Sequence, residues 1–155
     1  SRHNIDEQIN NLEVHYLSNP QGAIHFALIT DWADSPFEET QNDLDLLHYA
    51  KKGIAQLNQR YQRDKIPLFF LLHRRRLYNA HEKCWMGWER KRGKLHELNL
   101  LLRGNKNTSF YAPDSHLPMD CRFVMTLDSD TRLTLESVTK LVGKLNHPLN
   151  CPVFS

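Results

Sequence analysis

The sequence is poor in several residue types that mark particular protein classes. Three cysteines, Cys84, Cys121 and Cys151, are widely spaced and odd in number over 155 residues, which fits reduced thiols in a cytosolic domain better than a disulfide framework and predicts no essential disulfide. Six glycines form neither a Walker loop nor a Gly-x-Gly-x-x-Gly fingerprint, so mononucleotide kinases and NAD enzymes are set aside. The longest apolar stretch, Ile66 to Leu72, contains Pro67 and falls far short of the ~20 residues that span a bilayer. Twenty Lys and Arg against eighteen Asp and Glu leave a formal charge of +2, so any electrostatic function must be local. There is no internal repeat and no low-complexity tract. Ser1-Arg2-His3-Asn4 carries no initiator Met and leads into no signal core, and is read as the start of a piece of a longer chain.

What is present, 40% hydrophobic and 25% charged residues, suits one globular domain over residues 1–155. Ile5, Ile9, Leu12 and Tyr16 recur at helical spacing behind Asn4, a good N-cap, and predict a helix over 4–17 that Asn19-Pro20 ends. Ala23 to Thr30 reads as a buried strand delivering Asp31 and Trp32. Leu44, Leu47, Ala50, Ile54, Leu57 and Tyr61 mark a long amphipathic helix to about Arg63. Pro67 opens a second strand with a core at Leu68 to Leu72, apolar throughout and so expected to be covered on both faces. Residues 77–92 have no clean periodicity; Leu95, Leu98 and Leu102 then suggest a short helix ended by Gly104. Arg122 to Leu127 reads as a third strand, and Thr134 as the cap of a last helix ended by His147-Pro148. This alternation predicts an α/β fold with a mostly parallel sheet and crossover helices.

Ligands of such sheets sit beyond the carboxyl ends of the strands. Asp31, the run Arg74-Arg75-Arg76, and Asp128 with Asp130 are all placed there by the reading above. Asp128-Ser129-Asp130 puts two carboxylates around one small residue, a pattern able to share a divalent ion and the oxygens of a diphosphate, although Asp in that position also serves simply to organise a turn. Residues 74–94 hold eight basic side chains against Glu82 and Glu89, a surplus of +6 in 21 residues that suits either a bound diphosphate or a solvated basic surface. Gly93-Lys94 followed by Asn99 places a cation and an amide where a helix begins, a position that favours anions. Nine histidines show no zinc spacing and receive no role. Tyr49, Phe69, Phe70 and Phe123 are assigned to the core, and Trp85 and Trp88 either to stacking on a hexose or to packing on the sheet.

Phe26-Ala27-Leu28-Ile29-Thr30-Asp31-Trp32, Leu57-Asn58-Gln59-Arg60-Tyr61, His73-Arg74-Arg75-Arg76, the block Trp85 to Leu95 and Thr126-Leu127-Asp128-Ser129-Asp130-Thr131 together resemble the glycosyltransferase domain of bacterial cyclic β-1,2-glucan synthases, in the GT-A superfamily. The likeness runs over nearly the whole chain. It implies a partial GT-A, Rossmann-like fold in which Asp128 and Asp130 form the DxD motif that holds Mg2+ or Mn2+. Asp31 would contact the nucleoside of a UDP-glucose donor, and Gly93-Lys94 with Leu98-Asn99 is similar to the Gly-Lys and Leu-Asn elements of that superfamily. From the basic segment itself, Lys94 with Arg90 or Arg92 is expected to stabilise charge on the diphosphate. The implied activity is glucosyl transfer with inversion to a growing glucan acceptor. The remainder of the large membrane-embedded synthase would hold the domain at the cytoplasmic face of the bacterial inner membrane.

Against that family pattern, the first nucleotide-binding strand and the acceptor half are expected to lie outside this chain. The catalytic base is therefore expected elsewhere, and the chain alone is expected to be soluble and inactive. A sheet edge left open in this way invites homo-oligomers through strand exchange. The competing reading is a non-catalytic α/β module whose segment from Arg74 to Lys94 binds nucleic acid or an acidic membrane.

Overall fold

The computed structural model describes residues 1–61, 67–112, 117–118 and 120–147. Helix α1 (Arg2–Ser18) begins one turn earlier than its apolar spacing suggests, because Ser1 and not Asn4 is the N-cap and accepts a hydrogen bond from the Asn4 amide at 3.5 Å. Strand β1 (Phe26–Asp31) follows, then helix α2 (Asp43–Arg60) and strand β2 (Phe69–Arg74). β1 and β2 pair in parallel from Phe26 opposite Phe69 to Asp31 opposite Arg74, so an acid and a base face each other at the carboxyl end of the sheet. Residues 62–66, which include the expected end of the second helix, lie outside the described residues.

The stripes of α1 and α2 fall on one face of this sheet. Ile9, Leu12, Tyr16, Ile54 and Leu57 close a core with Phe26 and Phe69. The helices approach closely at Gly53, where a Cβ would lie 2.4 Å from the Ile9 Cδ1. Asn58 ties α2 to the sheet: its Oδ1 accepts from the Leu68 and Phe69 amides at 3.0 and 2.9 Å, and its Nδ2 donates to the Phe69 carbonyl at 2.8 Å. The other face of β2 packs through Leu72 against Leu98 and Phe110, so β2 is covered on both faces as its unbroken apolar run predicts.

Residues 77–92 are where the sequence reading missed an element. Leu77–Asn79 (β3) and Cys84–Met86 (β4) form an antiparallel hairpin whose turn is shaped by Asn79, its Oδ1 accepting from the His81 and Glu82 amides at 2.9 and 3.2 Å. Lys83 closes the turn with φ of 51°. Ser35, in the loop after β1, pairs with Trp85 through both backbone bonds and binds the hairpin to the sheet. Helix α3 (Arg90–Leu102) then starts ahead of Gly93, so Gly93 and Lys94 lie in its first turns rather than at its head.

The expected third strand is corrected. Residues 121–128 carry no regular secondary structure and pair with no strand among the described residues, and Phe123, Val124, Met125 and Leu127 are 41%, 55%, 39% and 38% exposed. Phe123 is thus not a core residue. An apolar run becomes a strand only beside a partner that satisfies its backbone, and none adjoins this one among the described residues. Described residues therefore build a two-stranded parallel sheet and a separate hairpin within an α/β arrangement. The N-cap of the last helix, α4 (Ser137–Leu145), is Glu136 and not Thr134, and its side chain makes no capping bond; Asn19 instead satisfies the first turn, its Oδ1 accepting from the Val138 amide at 3.1 Å. Cys84 and Cys121 are free thiols, and no helix of the described residues is long and apolar enough to cross a membrane.

Candidate functional site

The carboxyl end of β2 carries Arg74, whose side chain is fully buried. A buried guanidinium needs partners for its donors, and here each of its three nitrogens finds at least one, four hydrogen bonds in all. Nε donates to Asp31 Oδ1 at 2.6 Å, Nη1 to Glu97 Oε2 at 2.8 Å and to the Trp88 carbonyl at 3.0 Å, and Nη2 to the Arg90 carbonyl at 3.0 Å. Glu97, from α3, accepts in addition from the Ser109 amide and hydroxyl, both at 2.6 Å. The segment 87–93 can wrap so tightly because of two glycines. A Cβ on Gly87 would lie 2.9 Å from both Arg74 Nη2 and the Asp31 carboxyl carbon, and one on Gly93 would lie 2.0 Å from the Trp88 carbonyl oxygen. Glu89 and Arg90 between them have φ of 50° and 46°, a left-handed conformation costing roughly 1–2 kcal/mol per residue that this clasp sustains.

Two residues on, Arg76 is also buried. It donates to Asp43 Oδ2 at 2.5 Å and to the carbonyls of Ala33 and Glu38, and its guanidinium lies 5.6 Å from the Trp32 ring centre. Arg75 alternates outward to solvent. The basic tripeptide therefore supplies two internal cations and one surface cation.

Burial alone would push the carboxyls of Asp31, Asp43 and Glu97 upward. Their hydrogen bonds and ion pairs outweigh it: Asp31 is held below its ordinary value by Arg74 and Lys94, Asp43 by Arg76 and Thr40, and Glu97 by Ser109 and Arg74. His73 is the opposite case. Burial, only partly opposed by the charges of Asp31 and Asp43, pushes it down to about 4, so it is neutral at pH 7. Its Nδ1 is 2.6 Å from the Thr30 hydroxyl, its ring sits against Trp32 and Tyr111, and its buried Nε2 has no hydrogen-bond partner among the described residues.

The six residues singled out for a nucleotide sugar fall into two groups. Asp31 and Lys94 meet at the sheet rim, with Lys94 Nζ 3.0 Å from Asp31 Oδ2. Arg90 lies beside the hairpin, paired with Asp34 at 2.9 Å and Glu82 at 3.2 Å, and Arg92 pairs with Glu89 at 2.6 Å. Asp128 and Asp130 are exposed and stand off the sheet, at the end of the unpaired segment and not of a strand. One link joins them to the rest: Lys91 of α3 forms an ion pair with Asp128. Asp34, Glu82 and Cys84 also converge closely enough to share an ion, but the Arg90 guanidinium already sits on both carboxylates. The sequence reading missed the structural roles of Glu97, Asp43 and Asn58, which are set by partners 10 to 33 residues distant.

No protein-family model matches the chain. It is 62% identical over 154 residues, 99% of its length, to Cyclic beta-(1,2)-glucan synthase NdvB of Rhizobium meliloti (strain 1021), and spans 5% of that much larger protein. The likeness to cyclic β-1,2-glucan synthases that the sequence motifs carry is thus shown over essentially the whole chain, which corresponds to a short stretch of such a synthase.

Proposed function

We propose that the chain is the donor-binding part of a glucosyltransferase that transfers glucose from UDP-glucose to a growing cyclic β-1,2-glucan with inversion, within a partial GT-A fold. The single observation that carries this reading is the Lys91–Asp128 ion pair, which brings the Asp-Ser-Asp string against the basic head of α3 in a chain so similar to a glucan synthase. In the intact protein the domain would work at the cytoplasmic face of the inner membrane.

Asp128 and Asp130 fit a magnesium or manganese ion by the chemistry of their donor set. Mg2+ is usually held by one or two carboxylates while water and substrate phosphates fill its remaining positions, and both side chains here are exposed to solvent. Such an ion, when bound, would neutralise charge on the departing diphosphate. The protein's own groups do the rest: Lys94 is pre-positioned at the rim by Asp31, Arg90 and Arg92 add positive charge along α3, and Asp31 supplies the acceptor for the nucleoside.

The nucleic-acid or membrane reading loses its main support. Asp31, Asp34, Asp43, Glu97 and Asp128, all outside residues 74–94, pair with cations of that segment and remove most of its surplus. Calorimetric titration with UDP-glucose is expected to show binding with manganese, none with EDTA, and none in Asp128→Asn or Asp130→Asn. Donor binding unchanged by EDTA and by both substitutions would overturn the metal assignment. Binding of a single-stranded oligonucleotide that falls steeply with salt would support the rival instead.

A further inference from the structure

The hairpin and the head of α3 border a half-open cavity of about 470 Å³, and of the proposed donor residues only Arg90 lines it. We propose that this cavity is a saccharide subsite that takes a gluco-configured pyranose ring of the glucan; the identity of the glucan rests on the reading above, whereas the class of ligand follows from the lining.

Tyr78 and Trp88 both border the cavity, 55% and 45% exposed, a large aromatic area for so small a region to leave in water. Their rings are oriented before any ligand arrives, Tyr78 by Trp85 at 5.5 Å between centres and Trp88 by His96 at 6.1 Å. A pyranose with equatorial hydroxyls presents flat faces of C–H groups that cover such rings. Met86 adds a deformable apolar wall. At the rim, Glu82 and Glu89 accept and Arg90 donates, the combination that brackets adjacent hydroxyls.

Charge separates this site from the donor site. Both lining carboxylates are already paired, Glu82 with Arg90 and Glu89 with Arg92, and Arg90 is shared with Asp34 as well, so a phosphate entering the cavity would have to break one of these pairs to find a cation. A neutral polyhydroxyl ligand meets none of that penalty. Asn79 also lines the cavity: its Oδ1 is occupied by the turn and one Nδ2 hydrogen is directed to Met86 Sδ at 3.4 Å, which leaves the second for a hydroxyl.

The test is an amide and indole chemical-shift titration of the labelled 155-residue chain with a linear β-1,2-linked glucotriose, in EDTA and without nucleotide. Saturable shifts centred on Tyr78, Glu82, Met86 and the Trp88 indole are expected. Tyr78→Ala should weaken binding roughly tenfold, about the loss of one aromatic contact. Because Tyr78 is exposed, that variant should keep its fold, which its unperturbed amide spectrum would verify. Trp88→Ala should weaken binding at least as much. The galactose-configured analogue, whose axial hydroxyl interrupts the flat face, should bind more weakly. Absence of saturable shifts, or affinity unchanged in Tyr78→Ala, would overturn the proposal. Neither result bears on metal-dependent UDP-glucose binding, so the two readings fail separately.

Discussion

Two acidic positions in this molecule occupy contrasting surroundings. The Asp31 side chain is 18% exposed, locked between Arg74 and Lys94 at the end of a paired strand; that of Asp128 is 60% exposed, follows an unpaired segment and touches a single lysine. A carboxylate woven into a buried ionic cluster is tied to the architecture whatever ligand its outer lone pairs also accept, because removing it strands a buried cation. One held by an exposed pair exchanges partners at little cost, as a group that must bind and release a ligand has to do. The same contrast divides the cations: Arg74 and Arg76 hold the fold, while Lys91, Arg90 and Arg92 remain at the surface.

Breaking the buried side should have the largest effect. Arg74→Met leaves Asp31 and Glu97 without their common partner and is expected to cost about 3–5 kcal/mol in chemical denaturation, enough to unfold a marginal domain. A loss below about 1 kcal/mol would erase the distinction drawn between the two acids.

Next comes the clasp around that arginine. Gly93→Ala should cost about 1–3 kcal/mol because its Cβ meets the Trp88 carbonyl at 2.0 Å. Gly143→Ala in α4, where a Cβ has nothing within 4 Å, should instead stabilise by up to about 1 kcal/mol. Paired urea midpoints decide it, and midpoints moving in the same direction would show that 87–93 yields more easily than its packing implies.

Acid should sharpen the comparison further. His73 takes up its proton near pH 6.5 when unfolded but only at about 4 when folded, so the unfolded chain binds more protons between those values. Stability from this group is complete above pH 6.5 and declines as pH falls toward 4, by up to about 1.4 kcal/mol per pH unit. Below about pH 4 the depressed carboxyls of Asp31, Asp43 and Glu97 add their own loss as they protonate. Thermal melts of the chain and of His73→Asn between pH 7.5 and 4.5 should differ in slope; parallel curves would remove His73 as the cause.

The smallest stability effect belongs to the exposed acid. Asp128→Asn should shift stability by less than about 0.5 kcal/mol, as for other exposed ion pairs, while abolishing metal-dependent donor binding. A large destabilisation would place Asp128 with Asp31 among the architectural groups.

Much of this arrangement is legible in the sequence. The unbroken apolar run of Phe69 to Leu72 announces a strand covered on both faces, and the stripe from Leu47 to Leu57 announces the helix that covers one of them. β3 and β4 escape because three residues are too few for an alternating pattern, although Asn79 ahead of a four-residue turn was a usable signal. Arg74 and Arg76 look like surface charge because their carboxylates lie 23 to 43 residues away. Their spacing of two after a buried strand, with Arg75 facing out between them, is the trace that strand geometry leaves. Residues 122–127 mislead for the reverse reason: their pattern is that of a strand, and no backbone among the described residues pairs with it.

The four attachments of Arg74 also impose an order of assembly. Asp31 becomes available only when β1 lies beside β2, whereas Trp88, Arg90 and Glu97 arrive with the hairpin and α3. Bringing an unpaired guanidinium into the interior is unfavourable, so closure of the chain over 87–97 follows strand pairing and comes late. Contacts formed after the folding barrier mainly set how slowly the native state opens. Arg74 is therefore expected to act as a latch, and Arg74→Met to speed unfolding more than it slows folding in stopped-flow kinetics.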